Sequence, residues 1–371
     1  MQGAPAEIPQ TSGEPLMRFV RIPTWSSLTL GGSHEASCRV HRFLTGPDVA
    51  IPGLITAIAA PAAAATAAYT MTDLGNLGGG VSTGFGINAS GEVAGRSYLN
   101  KVFFFKCGRH ICHFTQNDPF SWSGGTMTDL GTFNAMSMSE ANAVNSTGDV
   151  VGGSNSRAFL VHNKKMTDLG PGMATSINDF GEIVGNSQGA FLISGGTRTT
   201  LPDLSSYGGG GFSSASGINN NHQIVGASDN AGGNSHAVLW ASGTITDLGT
   251  LGGTQSAAYA INNLGQVTGW AHTASEATDV FLWSGGKMTD LGTFGLDPVG
   301  EAINNHGVIV GQSGNGAWIW SNGTFQNLNN LIPPGSGFTL NDATAINDNG
   351  QIVANGSNSS GQTHAFLLTP S

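Results

Sequence analysis

The stretch Ala260–Trp270, AINNLGQVTGW, decides the fold, because near copies of it recur along the chain. Its relatives are GINASGEVAG from Gly86, AVNSTGDVVG from Ala143, SINDFGEIVG from Ser176, GINNNHQIVG from Gly217, AINNHGVIVG from Ala302 and AINDNGQIVA from Ala345, which makes seven copies. Each copy is followed by an apolar segment: PFSW at Pro119, AFLV at Ala158, AFLI at Ala190, AVLW at Ala237, VFLW at Val280, AWIW at Ala317 and AFLL at Ala365. A further segment accompanies them, MTDL at Met71, Met127, Met166 and Met288, with LPDL at Leu201, ITDL at Ile245 and FQNL at Phe325. Apolar runs this short, bounded by Gly, Asn and Ser, are strands rather than helices. Each unit therefore reads as a four-stranded antiparallel sheet of about 40 residues, the period of a propeller blade.

The phrase contains its own turn. Asn, two variable residues and Gly form a type I turn ending in a residue with positive φ, as in Asn262 to Gly265. The fourth copy has His222 in place of the glycine, and histidine tolerates that conformation at some strain. Counting then closes the architecture. MTDL at Met71 precedes any complete unit, and the final unit ends at AFLLTPS with no outer strand of its own. The expectation is an all-β, seven-bladed propeller over residues 69–371, with the segment at Met71 completing the last blade and leaving no open sheet edge.

With 57 glycines and 10% charged residues, the composition suits short strands joined by tight turns. A net charge of −10 with 13 scattered basic residues argues against nucleic acid as a partner. Residues 1–68 lack the repeat and read as a leader. Arg39, His41 and Arg42 precede an apolar, alanine-rich stretch to about Ala68, where ATAAY offers small residues for a signal peptidase. That reading predicts a Sec-type exported protein, extracellular or periplasmic, monomeric and without a stable membrane span after cleavage.

The repeat resembles the bacterial HAF-repeat proteins from Tyr69 to the C-terminus, on TDLGTLGG from Thr246, the AIN..GQVVG-like phrases, HAVLW from His236 and HAFLL from His364. Five units replace the motif histidine with Asp118, Arg157, Gly189, Asp279 or Gly316. The resemblance implies export and a repeat fold, and supplies no catalytic residues.

Chemistry is sought where the copies differ. The recurrent Asn and Asp residues suffice as turn caps, with convergence on a cation such as calcium as the sharper alternative. The position three residues before each turn Asn varies freely: Phe85, Asn142, Thr175, Ser216, Tyr259, Glu301 and Thr344. Glu301 is the one acid in that column, and an inner-strand carboxylate must be solvated, paired or metal-bound. Phe85, Asn142 and Tyr259 are expected to line the tunnel with it, and Glu140, Asp297 and Asp342 stand on loops entering the same strands. By analogy with propellers that look like calcium-dependent lactonases, Glu301, Asp297 and Asn142 are the expected cation ligands, and Glu301, His272 and His236 the catalytic candidates, for hydrolysis of a small lactone or ester. The alternatives are a non-catalytic module binding carbohydrate, envelope or a partner protein, and a purely structural role. An insertion at about 97–118, YLNKVFFFKCGRHICHFTQND, reads as an aromatic hairpin able to form a lid. Its Cys107 and Cys112 suggest a disulfide, or, with His110 and His113, a zinc site.

Overall fold

A computed structural model describes residues 67–371, except 109, 135–137 and 206–210. The leader expected at 1–68, and its signal, lie almost wholly outside the described residues. No described helix is long and apolar enough to cross a membrane.

The chain forms seven four-stranded antiparallel sheets, each of consecutive strands except the last, and is a seven-bladed β-propeller. The fifth blade is representative, with an inner strand Gly252–Ile261, then Val267–Thr273 and Thr278–Ser284, and an outer strand Lys287–Gly292. In the seventh blade, Phe338–Ile346, Ile352–Asn358 and Thr363–Pro370 are completed by Tyr69–Asp73, which pairs with the third strand from Tyr69↔Pro370 to Asp73↔Phe366. His364 Nδ1 lies 2.7 Å from Asp73 Oδ2 across this seam, and the Leu74 amide donates to the Ala365 carbonyl.

Blades pack face to face. Val225, Ala237 and Leu239 of the fourth, for instance, form one buried cluster with Ala258, Val267 and Phe281 of the fifth. Within a sheet, glycines of the second strand make room for aromatic rings of the third. A Cβ on Gly95, Gly185 or Gly311 would stand 2.6 Å from the ring of Phe120, Phe191 or Trp318, the residue opposite it on the third strand. The aromatic side chain lies where the missing Cβ would be.

The turn following each inner strand has the expected form. The amides of Gly91, Gly148, Gly181, His222, Gly265, Gly307 and Gly350 donate to the carbonyl of the Asn three residues earlier. His222 adopts φ 60°, stacks on Phe180 and holds Glu182 at 2.6 Å.

One strand assignment needs correction. In the third blade the outer strand is Thr197–Thr200, with Thr200 opposite Phe191, where five of the other blades place the TDL aspartate and the sixth places Asn327. Leu201 follows it as Leu130 and Leu74 follow theirs, its amide bonding the Ala190 carbonyl. LPDL therefore lies past the ladder, as suits Pro202, which has no N–H to contribute.

Candidate functional site

Asparagine side chains lock the axis at the turn end. Each turn Asn accepts, through Oδ1, the amide four residues ahead, and all but Asn347 also accept the amide two ahead; Asn262 bonds Leu264 N at 3.0 Å and Gln266 N at 2.9 Å. Its Nδ2 donates to the carbonyl of the turn Asn in the next blade. The chain of donors runs Asn88 to Asn145, Asn178, Asn219, Asn262, Asn304, Asn347 and back to Asn88, at 2.9–3.3 Å throughout. All seven are buried. Their oxygens are engaged in their own turns, so they act as a structural ring rather than as ligands gathered for a cation.

The residues just before these asparagines, Ile87, Val144, Ile177, Ile218, Ile261, Ile303 and Ile346, line one axial cavity, and all of them but Ile303 line a second as well. They form an apolar collar. On the turn side the cavity measures about 220 Å³ and is walled by Asn, Asp and Ser. On the other side it measures about 530 Å³.

The larger cavity owes its lining to a repeated irregularity. In all seven blades the register between inner and second strands slips at the position three before the turn Asn: Phe85, Asn142, Thr175, Ser216, Tyr259, Glu301 and Thr344. A bulge adds one residue against one partner and re-aims its side chain. All seven of these residues line the cavity. The backbone is the same in each blade, while the side chains are not.

Several of these side chains also tie blades together. Asn142 Nδ2 donates to the Ala174 carbonyl at 2.8 Å, Thr175 Oγ1 to Ala215 at 2.9 Å and Thr344 Oγ1 to Gly84 at 3.0 Å. Phe85 lies under the Arg96 guanidinium, which pairs with Glu140 at 2.9 Å. Glu301 and Tyr259, on adjacent blades, differ. Glu301 accepts from Gln312 Nε2 at 3.0 Å and has no basic partner among the described residues. Burial, reinforced by the charge of Asp342 and opposed by the Gln312 hydrogen bond, pushes its carboxyl up to about 7. Burial also raises Tyr259, with Glu301 adding to the effect, and burial raises Asp342 despite its bonds from Asn355.

The other expected site residues lie elsewhere. His236 belongs to the third strand of its blade, with Nδ1 2.8 Å from Asp247 on the outer strand and Nε2 3.2 Å from Asn230. Both ring nitrogens are engaged, and this clamp is repeated as His364 with Asp73 and as Arg157 with Asp168. His272 holds Glu276 at 2.9 Å and shares a recess of about 190 Å³ with Asp297, Trp270, Thr278 and Val299. That recess is not the cavity holding Glu301. The expected cation set is thus divided, with Glu301 and Asn142 in one cavity and Asp297 in another. Among the described residues no group of three or more His, Cys, Asp or Glu is placed to hold a metal, and the three expected ligands do not share one recess. Cys107 and Cys112 form a disulfide, which removes both thiolates from the zinc alternative. The hairpin that carries them contributes nothing to the lining of the large cavity, contrary to its expected role as a lid.

The raised Glu301 carboxyl makes stability depend on pH. Its folded value of about 7 lies above the ordinary 4.5, so its contribution is complete below pH 4.5 and is lost as pH rises through 7. The loss is at most about 3 kcal/mol, less for whatever water the cavity admits. Glu301→Gln is expected to be more stable than wild type at about pH 8.5 and equal to it at about pH 4, by chemical denaturation. An equal difference at both pH values would refute the assignment.

No family model matches the chain, and neither does any curated protein. Among solved structures it is similar to the extracellular domain described for a hybrid two-component system, BT4673, of B. thetaiotaomicron, at 13% identity and TM-score 0.51 over 82% of this chain and 40% of that one. The chain therefore spans less than half the length of that structure. The WD40 β-propeller domain of Doa1 aligns at 13% identity and TM-score 0.45, over 80% of this chain and 96% of that one. A puromycin-hydrolyzing peptidase of Mycobacterium tuberculosis aligns at 9% identity and TM-score 0.46, over 79% and 55%. At such identities the likeness is one of fold.

Proposed function

We propose that this is an exported propeller that binds a small polar ligand of the carbohydrate class in its 530 Å³ cavity. The observation that carries the reading is the set of seven bulges. The bulge recurs in every blade while the residue on it varies, and the positions that tie no blades together, such as Ser216, Tyr259 and Glu301, are open to selection for a ligand. The volume falls in the range of small-molecule sites. Tyr259 and Phe85 offer ring faces for sugar C–H groups, while Glu301, Ser216 and Asn142 offer polar atoms to hydroxyls. Export is supported by the apolar stretch before Ala68 and by the Cys107–Cys112 disulfide, which suits an oxidising compartment. Membership of the HAF-repeat family is part of the same proposal.

Titration calorimetry with a panel of mono- and disaccharides tests it. Tyr259→Ala is expected to weaken the best ligand at least about tenfold, roughly 1.4 kcal/mol, with the fold intact. Absence of any saccharide binding by the folded protein would sink the reading.

A second reading, hydrolysis of a small lactone or ester, is favoured by one observation, the Glu301 carboxyl near 7, a value suited to general acid–base work. Turnover lost in Glu301→Gln would support it. Turnover lost in EDTA and restored by calcium would reinstate the cation, and activity unchanged by chelator would exclude it.

A further inference from the structure

The first blade carries a feature that neither the propeller nor its cavity uses. Its second and third strands, Val93–Cys107 and His110–Ser123, run on past the blade as a hairpin paired from Val102↔Thr115 to Cys107↔His110. Residues opposite one another share a face of an antiparallel ladder, and faces alternate along it. One face therefore holds Val102 with Thr115, Phe104 with His113, and Lys106 with Ile111. Its apolar members are unusually open to water: Val102 is 48% exposed, Phe104 73% and Ile111 78%. The Phe103–Phe114 pair, half-buried, lies on the opposite face.

Charge singles out the same segment. From Tyr98 to Asn117 the sequence holds Lys101, Lys106 and Arg109 and no acid, in a chain with 23 acidic and 13 basic residues. Lys101 and Lys106 are exposed. A basic, aromatic projection on an otherwise acidic protein fits an anionic apolar-cored surface, because its cations meet the headgroups while Phe104 and Ile111 enter the acyl boundary. The Debye length of about 8 Å at physiological salt lets this projection act apart from the acidic body. The disulfide near the tip holds the hairpin, so little ordering entropy is lost on docking.

We propose that this hairpin is a peripheral membrane-docking element, placing the Val102, Phe104 and Ile111 face on a bilayer rich in anionic lipid. Three apolar side chains make the attachment weak and reversible. It is independent of any ligand in the axial cavity.

Co-sedimentation of the full chain with vesicles of phosphatidylcholine alone, or with about one-third phosphatidylglycerol, tests this. The expected result is binding that increases with anionic lipid and falls when salt is raised from about 0.1 M to about 0.5 M. The double variant Phe104→Ser with Ile111→Ser should lose that anionic-dependent binding. Lys101→Glu with Lys106→Glu should reduce it at least about tenfold, given about fivefold per basic side chain. Unchanged melting temperatures keep the comparison one of surface, since all four positions are exposed. Because the apolar stretch before Ala68 is common to every form, only differences between forms count. Equal sedimentation of wild type and both variants, or no preference for anionic vesicles, would overturn the proposal.

Discussion

Deleting residues 69–74 is expected to abolish the folded monomer rather than to weaken it. The deletion removes five register pairs to the third strand of the last blade, the His364–Asp73 contact and the buried Leu74. It leaves Thr363–Pro370 as an open edge beside the first blade, the arrangement that invites association with another chain. The combined loss exceeds about 5 kcal/mol, comparable with the whole stability of many domains. Size-exclusion chromatography and thermal melting would register aggregation and no cooperative transition. A milder form, Leu74→Ala, should cost about 2 to 5 kcal/mol and stay monomeric. A deletion product that melts as wild type would show that the seam contributes little.

The second large effect is expected at Asn262. Its side chain accepts from Leu264 and Gln266 and donates to Gln266 Oε1 and the Asn304 carbonyl, all within a buried site. Asn262→Ala strands several buried polar groups and should cost about 3 to 5 kcal/mol. Asn262→Asp keeps both accepting bonds but cannot donate to Asn304. If the turn dominates, the Asp variant should retain most of the stability at neutral pH. If the inter-blade tie dominates, it should lose nearly as much as Ala, with the carboxylate facing a carbonyl oxygen. We expect the latter, because the other six links of the closed ring hold the two blades in place and leave no room to relax one repelling pair. Urea denaturation of both variants separates the two outcomes, and an Asp variant as stable as wild type would refute the expectation.

The blades are legible in the sequence because each is spelled out by local signals: an Asn-x-x-Gly turn, or Asn-x-x-His in the fourth, and short apolar runs. The variable column at Phe85, Tyr259 and Glu301 was visible for the same reason, since repeats expose what the fold leaves free. Its cause was not visible. A bulge is defined by pairing with the neighbouring strand, as when Ala258 and Ala260 face Gly269 and Thr268 and leave Tyr259 over, and no single-strand pattern encodes it. The role of His236 is hidden on similar grounds, since it and Asp247 are eleven positions apart and meet only through strand register, which makes a clamp of a motif histidine. LPDL at Leu201 imitated an outer strand by composition, while hairpin register assigned that place to Thr197–Thr200. Asp297 was joined to Glu301 by sequence proximity, although four residues span enough backbone to put them in separate recesses.

Because Tyr69 faces Pro370 and the Ser371 amide reaches the Ala68 carbonyl, the chain's last strand and its first lie side by side on one rim. With the residues before Ala68 removed, a short peptide bridging them would make a covalent circle, and that circle could be recut at any outer hairpin, such as Gly285–Gly286, without altering one contact in the ring. Rearranged in this way, the protein would keep every neighbour while moving its seam from the seventh blade to another of choice.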